Sequence, residues 1–254
     1  MQFRSFGFSD KGKTRKNNED RYLCNEEERL FLVADGLGGH ASGEEVSQLA
    51  TECIEEFVIR SRSSDDIPWP IKYRKDLSSE QNRLMAATTY AHHRICEVAE
   101  ANPSMKGMCT TLVGVIIEGD HLAIVNIGDS RLYQIRGGVI EQVTKDHSWV
   151  EEQVQEGVLT KEEARRHPQR HVLTNVLGGE KKRLKMDVSR AGILKNDLYL
   201  LCSDGLYSML DDSEILAIIN AIENESLYKL GLSLVLEANL VGGLDNITVV
   251  LLSF

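Results

Sequence analysis

The sequence has little that suggests a membrane, secreted or zinc-binding protein. It contains no uninterrupted apolar run of the roughly 18 to 20 residues that span a bilayer, and its N-terminus lacks the apolar core of a signal peptide. The five cysteines are widely spaced and form no CxxC pair, so neither a zinc site nor a dithiol redox site is indicated. We therefore expect reduced, mostly buried thiols, a cytoplasmic location and no membrane partner.

Low-complexity segments, internal repeats and an excess of positive charge are also missing. With 42% hydrophobic and 27% charged residues, the chain has the composition of a folded protein. Its 254 residues can bury a substantial core, and we expect one domain over residues 1–254 and a monomer. The formal net charge of -10 repels nucleic acid, which we exclude as a partner. The same acidity suits a site where carboxylates bind divalent cations.

Aspartates lie next to several short apolar segments that have the length and composition of buried strands. Mg²⁺ and Mn²⁺ prefer carboxylate oxygens, and a two-metal hydrolase needs carboxylates that converge from distant parts of the chain. For any single aspartate, capping of a strand end is the alternative interpretation. The predicted strands are residues 30–34 before Asp35, 121–127 before Asp129, 197–202 before Asp204, and 246–252 after Asp245.

Helix starts are indicated where a capping residue is followed by Glu three positions later. Such pairs are Ser42/Glu45, Ser148/Glu151, Thr160/Glu163 and Asp211/Glu214. We predict long helices from Ser42 to about Arg60, from Ser79 to Ala101 and from Ser226 to Asn239, with a polar loop over residues 61–77. Residues 144–179 are expected to be irregular, with short helices and a basic patch at 165–171. Capped helices among many short strands predict an α+β fold of antiparallel sheets covered by helices.

A series of motifs from residue 15 to residue 248 resembles the metal-dependent protein phosphatase (PPM) family. They occur in the family's order, which makes chance an unsatisfactory explanation. The motifs are Arg15 with Glu19 and Asp20, residues 33–40 with Asp35 and Gly36, Cys109-Thr110-Thr111, Gly128-Asp129-Ser130-Arg131, residues 144–148, Ser203-Asp204-Gly205, and Asp245-Asn246.

The resemblance implies an α+β sandwich of two mainly antiparallel β-sheets, flanked by helices on both sides, with a small flap subdomain at about residues 144–179. It implies a bacterial-type protein serine/threonine phosphatase whose partners are phosphorylated proteins, including a Ser/Thr kinase and its targets. Hydrolysis would use a hydroxide that bridges two tightly bound Mn²⁺ or Mg²⁺ ions, without a covalent intermediate. A weaker third cation is also implied.

The resemblance also assigns the metal ligands. Asp35 would bridge both cations and the carbonyl of Gly36 would complete the first site, while Asp204 and Asp245 would bind the second cation. Asp129 would share the third cation with Asp204.

Three further residues receive supporting roles from the resemblance. Glu19 and Asp20 would orient metal-bound waters, and Arg15 would bind the phosphate through its planar guanidinium group. Without the motif, Glu19 and Asp20 would be interpreted as a solvated turn and Arg15 as a surface charge.

The proton donor to the leaving group stays open in the sequence. Some family members have a histidine directly after the metal-binding Asp-Gly, whereas this chain has Leu37. His40 is the nearest substitute, and a structural role is an equal alternative for it. We interpret four other histidines as structural or solvent-facing, namely His92, His93, His167 and His171.

Two other functions are compatible with parts of the pattern. A phosphatase-like binding module would keep the fold but lose metal ligands, and here all the core aspartates are present. A phosphatase with an aspartyl nucleophile would need Asp-x-Asp, which Asp35-Gly36-Leu37 does not supply.

Overall fold

The computed structural model describes residues 2–38, 41–64, 66–179, 184–222 and 226–254. The strands there are β1 (Arg4–Asp10), β2 (Asp20–Asn25), β3 (Leu30–Leu37), β4 (Cys109–Thr110), β5 (Leu112–Glu118), β6 (His121–Ile127), β7 (Arg131–Arg136), β8 (Val139–Gln142), β9 (Leu177–Gly178), β10 (Asp187–Gly192), β11 (Leu198–Cys202) and β12 (Ile247–Ser253). The α-helices are α1 (Ala41–Ser63), α2 (Ser79–Ala101), α3 (Trp149–Gln155), α4 (Lys161–Arg166), α5 (Asp204–Tyr207), α6 (Asp212–Ile222) and α7 (Leu227–Val241).

The strands form two stacked sheets. One has the strand order β1-β12-β11-β7-β8, and the other has the order β10-β6-β5-β3-β4-β9 with β2 also paired to β3. Every strand pair that the structure describes is antiparallel. The predicted sandwich of antiparallel sheets is therefore confirmed.

The fold has four layers, two sheets between two layers of helices, and apolar residues pack between neighbouring layers, as strand β3 illustrates. Side chains alternate between the two faces of a strand, so Phe31 and Val33 pack between the sheets, whereas Leu30 and Leu32 pack with Ile54 of α1. Helices α1 and α2 cover this outer face, and α6 and α7 cover the outer face of the other sheet. Helices thus flank the sandwich on both sides, as predicted.

Several helix predictions are confirmed. Helix α2 has the predicted bounds, and Thr160/Glu163 forms a reciprocal capping box before α4. Asp211 and Glu214 exchange equivalent hydrogen bonds before α6. At the start of α3 the Ser148 hydroxyl accepts a hydrogen bond from the Glu151 amide, which is one half of the predicted capping box.

Helix α7 and strands β11 and β12 differ from the predictions by one or two residues at their ends, and α1 and β3 differ by more. Helix α1 begins at Ala41 and continues to Ser63, so Ser42 lies inside the helix and the predicted Ser42/Glu45 capping box is wrong. Strand β3 continues to Leu37 because Gly36 and Leu37 pair with β4. Asp35 therefore lies within a strand and does not follow it.

The flap, residues 144–179, connects β8 to β9 through α3 and α4. Its backbone closes on itself where the Trp149 amide donates to the Val172 carbonyl at 2.8 Å. The assignment of residues 1–254 to one domain stays a prediction. Among the described helices, none combines the length and apolar content needed to cross a bilayer.

Candidate metal centre

The predicted ligands come together from separate elements. Asp20 and Asp35 are register partners on β2 and β3, and Asp129 lies in the turn between β6 and β7. Asp204 begins α5 and follows β11 after one intervening residue, and one residue separates Asp245 from the start of β12. The acidic groups that raise the pKa of Asp35 are the other four aspartates, so the five carboxylates share one electrostatic environment.

Asp20 is buried and connects the two sheets. One of its oxygens, Oδ2, accepts hydrogen bonds from the Ser203 hydroxyl at 2.6 Å and the Thr248 hydroxyl at 2.7 Å. Its Oδ1 has no partner among the described residues. A buried carboxylate oxygen without a donor is costly, and a cation or a bound water would satisfy it.

The backbone of Asp35 is held by the two threonines of the third motif. Its amide donates to the Thr111 hydroxyl at 3.0 Å, and its carbonyl accepts from the Thr110 hydroxyl at 2.8 Å and the Thr111 amide at 2.9 Å. The hydroxyl of Thr111 in turn lies 2.6 Å from that of Ser130. These contacts fix the Asp35 backbone and leave its carboxylate available.

Gly36 and Gly43 allow the start of α1 to approach β3. A Cβ atom on Gly36 would overlap the carbonyl of Gly43, and one on Gly43 would overlap the carboxylate of Glu19. The amide of Gly36 also donates to the Glu19 carbonyl at 3.2 Å. This close approach places Glu19 beside the Asp35-Gly36 step.

The loop that carries Arg15 and Glu19 is held by Asn246. The side-chain amide of Asn246 donates to the carbonyls of Lys11 and Asn17, at 2.9 Å each, and its oxygen accepts from the Glu19 amide at 2.8 Å. Arg15 itself forms a 2.6 Å ion pair with Asp245. Arg15 therefore lies at the carboxylate cluster, on the aspartate expected to bind the second cation.

Asp129 is supported by a stacked group of side chains. The guanidinium of Arg131 bonds to the Asp146 carboxylate, with a shortest distance of 2.7 Å, and lies 3.6 Å from the ring centre of Tyr207. The Tyr207 hydroxyl donates to the carbonyl of Asp129 at 2.9 Å. Arg131 and Tyr207 therefore hold the turn of Asp129 in place.

The carboxylates carry more negative charge than their surroundings neutralise. Burial, followed by repulsion from neighbouring aspartates, raises the pKa of Asp35 and of Asp204 well above the ordinary range. Burial also raises the pKa of Asp20 to about 6 and that of Asp129 to about 6. Bound cations would relieve both effects.

The donor set fits divalent cations. Oxygens predominate, as Mg²⁺ and Mn²⁺ prefer, and Oδ1 of Asp204 is buried without a partner in the described ranges. Within those ranges no three Asp, Glu, His or Cys side chains are already grouped so that they could hold a metal ion. A bound cation would satisfy the unpartnered oxygen of Asp204.

A cavity of about 550 Å³ adjoins the metal centre, and we call it the flap cavity. Asp129 and Asp204 line its core side. Its flap side is lined by Lys145, Val150, Lys161, Ala164, Arg165, Arg170 and His171.

His171 was interpreted from the sequence as structural or solvent-facing, but it lines the flap cavity. Burial, Arg170 and Arg15 lower the pKa of His171, and Asp245 opposes them. The sequence signal that could have indicated this position is that His171 belongs to the basic patch at residues 165–171. Leu37 is partly buried, and His40 lies outside the described residues.

The remaining histidines match their interpretation. His92 is buried and its Nδ1 accepts from the Gly178 amide at 3.1 Å, and His93 is exposed. His167 packs against Trp149 with ring centres 5.0 Å apart.

Comparisons with known proteins agree with this geometry. The profile of the family described as Protein phosphatase 2C matches residues 12–229. The serine/threonine protein phosphatase PstP of Mycobacterium tuberculosis is 40% identical over 245 residues, which cover 95% of this chain and 43% of PstP. This chain therefore spans less than half the length of that relative.

Two further similarities cover nearly all of both chains. The serine/threonine phosphatase stp of Listeria monocytogenes is 32% identical over 250 residues, which are 96% of this chain and 92% of stp. The solved catalytic domain of a serine/threonine protein phosphatase named PstP, in complex with two manganese ions, superposes with a TM-score of 0.82 at 33% identity. That comparison covers 99% of this chain and 97% of the other.

Proposed function

This chain belongs to the protein phosphatase 2C family, the metal-dependent phosphatases that its motifs indicated, and we propose that it hydrolyses phosphoserine and phosphothreonine on proteins. The observation that carries this proposal is the convergence of Asp35, Asp204 and Asp245, which come from distant segments and lie in one acidic environment. The similar phosphatase structure that contains two manganese ions supports a two-cation centre.

We assign the cations to the aspartates as the family resemblance implies. Asp35 would bind both ions, the Gly36 carbonyl would complete the first site, and Asp204 and Asp245 would complete the second. Bound there, the ions would acidify water and offset negative charge on the phosphoryl oxygens. Asp129 and Asp204 line one cavity, which supports a third, weaker cation between them.

The chain's own residues would position the phosphate and its solvent. Arg15 has a half-exposed side chain, and its guanidinium can bind two phosphoryl oxygens in one plane. Glu19 and Asp20 would fix the orientation of waters beside the carboxylates. Asn246 contributes by holding the loop of Arg15 and Glu19 against the start of β12.

A covalent phosphocysteine intermediate is disfavoured by the thiols. All five cysteines are free, two of them buried and three partly buried. Burial raises the pKa of each, to about 12 for Cys24 and about 11 for Cys53. Thiolate, the reactive form, is therefore scarce at neutral pH, and we propose direct hydrolysis by water.

The decisive experiment measures p-nitrophenyl phosphate turnover with manganese, with magnesium and with excess chelator, followed by a panel of phosphopeptides. We expect full dependence on the metal, no inhibition by a thiol-alkylating reagent, and turnover of phosphoserine and phosphothreonine peptides. Full activity in excess chelator would contradict the proposal. The proposed physiological partners are phosphorylated proteins, including a Ser/Thr kinase and its targets.

A further inference from the structure

The flap side of the flap cavity carries positive charges that the protein leaves unneutralised. In the part of the chain that the structure describes, the side chains of Lys145, Lys161 and Arg170 form no hydrogen bond or ion pair. Arg165 reaches only Asp211, at 3.9 Å. Most other arginines in the described ranges are paired with carboxylates, so Arg170, together with the two lysines and Arg165, leaves positive charge at this cavity in a chain of net charge -10.

The acidic side chains of the same cavity are largely engaged elsewhere. Asp146 binds Arg131, and Asp212 accepts from the Tyr133 hydroxyl at 3.1 Å. Asp211 caps α6, and Glu162 pairs with Arg166 at 2.7 Å. Glu151, the remaining acidic residue on the flap side, accepts from the neutral side-chain amide of Gln155 at 3.2 Å and keeps its charge. Four cationic side chains outnumber it there, so the flap side presents net positive charge to a ligand, while Asp129 and Asp204 on the opposite wall belong to the metal centre.

The size and position of the cavity indicate what this charge would bind. Its volume of about 550 Å³ lies within the roughly 300–1,000 Å³ that pockets for drug-sized ligands occupy, which is more room than a single phosphate group needs. Because Asp129 and Asp204 form part of its lining, a peptide whose phosphate lies at the metal centre would place neighbouring side chains in it.

We propose that the flap cavity binds a second anionic side chain of the substrate, close in sequence to the phosphoresidue that is hydrolysed. This inference rests on the proposed function, and the enzyme's preferred substrates would be doubly phosphorylated or acidic segments. Of the two anions, phosphate should bind better than carboxylate. It carries a charge near -2 and three acceptor oxygens, and a guanidinium matches its geometry.

The test uses a phosphothreonine peptide with one variable position three residues before or after the phosphothreonine. That position is alanine, glutamate, or a non-hydrolysable phosphonate analogue of phosphoserine, and kcat/KM is measured with manganese. We define selectivity as the ratio of kcat/KM for the phosphonate peptide to that for the alanine peptide. In at least one of the two arrangements, with the variable position before or after the phosphothreonine, we expect a selectivity of about tenfold. The ratio of kcat/KM for the glutamate peptide to that for the alanine peptide should be intermediate. Both ratios should decrease at high salt.

Substitutions then assign the effect to the cavity. Lys161→Ala and Arg170→Ala should each lower the selectivity about threefold, as expected for exposed charges. Lys195→Ala is the matched control, since it removes one positive charge from an exposed position. Lys195 is not part of the cavity lining, so the selectivity of this variant should stay at the wild-type value.

The outcomes separate the two hypotheses. If wild-type enzyme does not hydrolyse the alanine peptide with manganese, the proposed function fails. If it hydrolyses all three peptides with equal kcat/KM in both arrangements, the proposed function stands and the second anion site is overturned. An equal loss of selectivity in Lys195→Ala and Lys161→Ala would also overturn it, because overall charge would then explain the preference.

Discussion

The hydroxyl of Tyr207 donates a 2.9 Å hydrogen bond to the backbone carbonyl of Asp129. Tyr207 ends α5, and Asp204 begins it, so one side chain connects the two residues that we assign to a third cation. The Arg131 guanidinium stacks 3.6 Å from the centre of the Tyr207 ring, which fixes the ring's position independently of its hydroxyl.

Tyr207→Phe should separate these two contacts, because it keeps the ring and removes the hydrogen bond. Loss of one such bond costs about 0.5–1.5 kcal/mol of unfolding free energy, and the Asp129 turn should become less fixed relative to Asp204. We expect a small decrease in melting temperature and a higher manganese concentration for half-maximal kcat. The control is Tyr73→Phe, whose side chain is exposed. An unchanged manganese dependence with a lowered melting temperature would limit Tyr207 to a structural role.

Arg15→Ala should change metal affinity and turnover in opposite directions. Arg15 occupies Asp245 in a 2.6 Å ion pair between partly exposed side chains, and such pairs contribute about 0.2–1 kcal/mol. Its removal should tighten the second manganese site up to about fivefold by calorimetry. Turnover should fall at least about tenfold, because the charge-assisted contact to phosphate is lost.

Arg15→Lys provides the comparison for that prediction. Lysine keeps the charge but lacks the planar pair of donors, so part of the lost turnover should return. A variant with weaker manganese binding and normal turnover would show that Arg15 supports the aspartates and does not contact phosphate.

The stability of the metal-free protein should decrease as pH rises. Burial raises the pKa of Asp20 and of Asp129 to about 6, above the value of about 3.9 for an unfolded aspartate. The folded state therefore binds more protons between pH of about 4 and about 6, and the free energy of unfolding falls through this window. Urea midpoints in chelator measure the trend, and saturating manganese should remove it because metal binds the deprotonated carboxylates.

Asp129→Asn isolates one group in that experiment. Its midpoint should fall less steeply with pH than the wild-type midpoint, since the neutral amide does not titrate. Identical slopes for the two proteins would contradict a raised pKa at Asp129.

Asp204→Asn should lower activity and raise the stability of the metal-free protein. Burial and repulsion from Asp129 and Asp245 disfavour the ionised carboxylate, and asparagine removes that charge. At saturating metal we expect kcat to fall by about a hundredfold or more, comparable to the loss of an electrostatic stabiliser. Asp66→Asn, at an exposed position, is the control. Activity within about threefold of wild type would refute the ligand assignment.

The sequence predicted best those elements whose local signals agree with their surroundings. Strand β6 is a largely apolar segment whose residues 122–127 are buried, and its predicted bounds match the structure. Strand β10, which was not predicted, is an edge strand with largely exposed side chains such as Asp187 and Arg190. Edge strands need no apolar run, so their pairing is visible only in the folded structure.

Motif order indicated the carboxylates of the site but not the contacts that position them. Asp20 receives its hydrogen bonds from Ser203 and Thr248, which are 183 and 228 positions away. Likewise, a basic patch does not reveal that Arg165 and Arg170 line the flap cavity while Arg166 does not. Which way each side chain points depends on how the flap packs against the core, and local sequence carries no signal for it.

Asp129→Ala distinguishes a third-cation ligand from a structural turn residue. Asp129 shares the flap cavity with Asp204, and the carboxylate of Asp146, which lines the same cavity, already binds Arg131. A site with fewer carboxylates binds its cation more weakly, so this site should fill only at higher metal concentration. If its cation promotes departure of the leaving group, in a chain that has Leu37 where some relatives have histidine, loss of this cation slows catalysis without emptying the two main metal sites.

For Asp129→Ala we therefore expect two tightly bound manganese ions by calorimetry and a fall in kcat of at least about tenfold, or roughly 1.4 kcal/mol. Melting temperature, metal stoichiometry and kcat are measured on one preparation. A normal kcat with a lowered melting temperature would show that Asp129 only holds its turn.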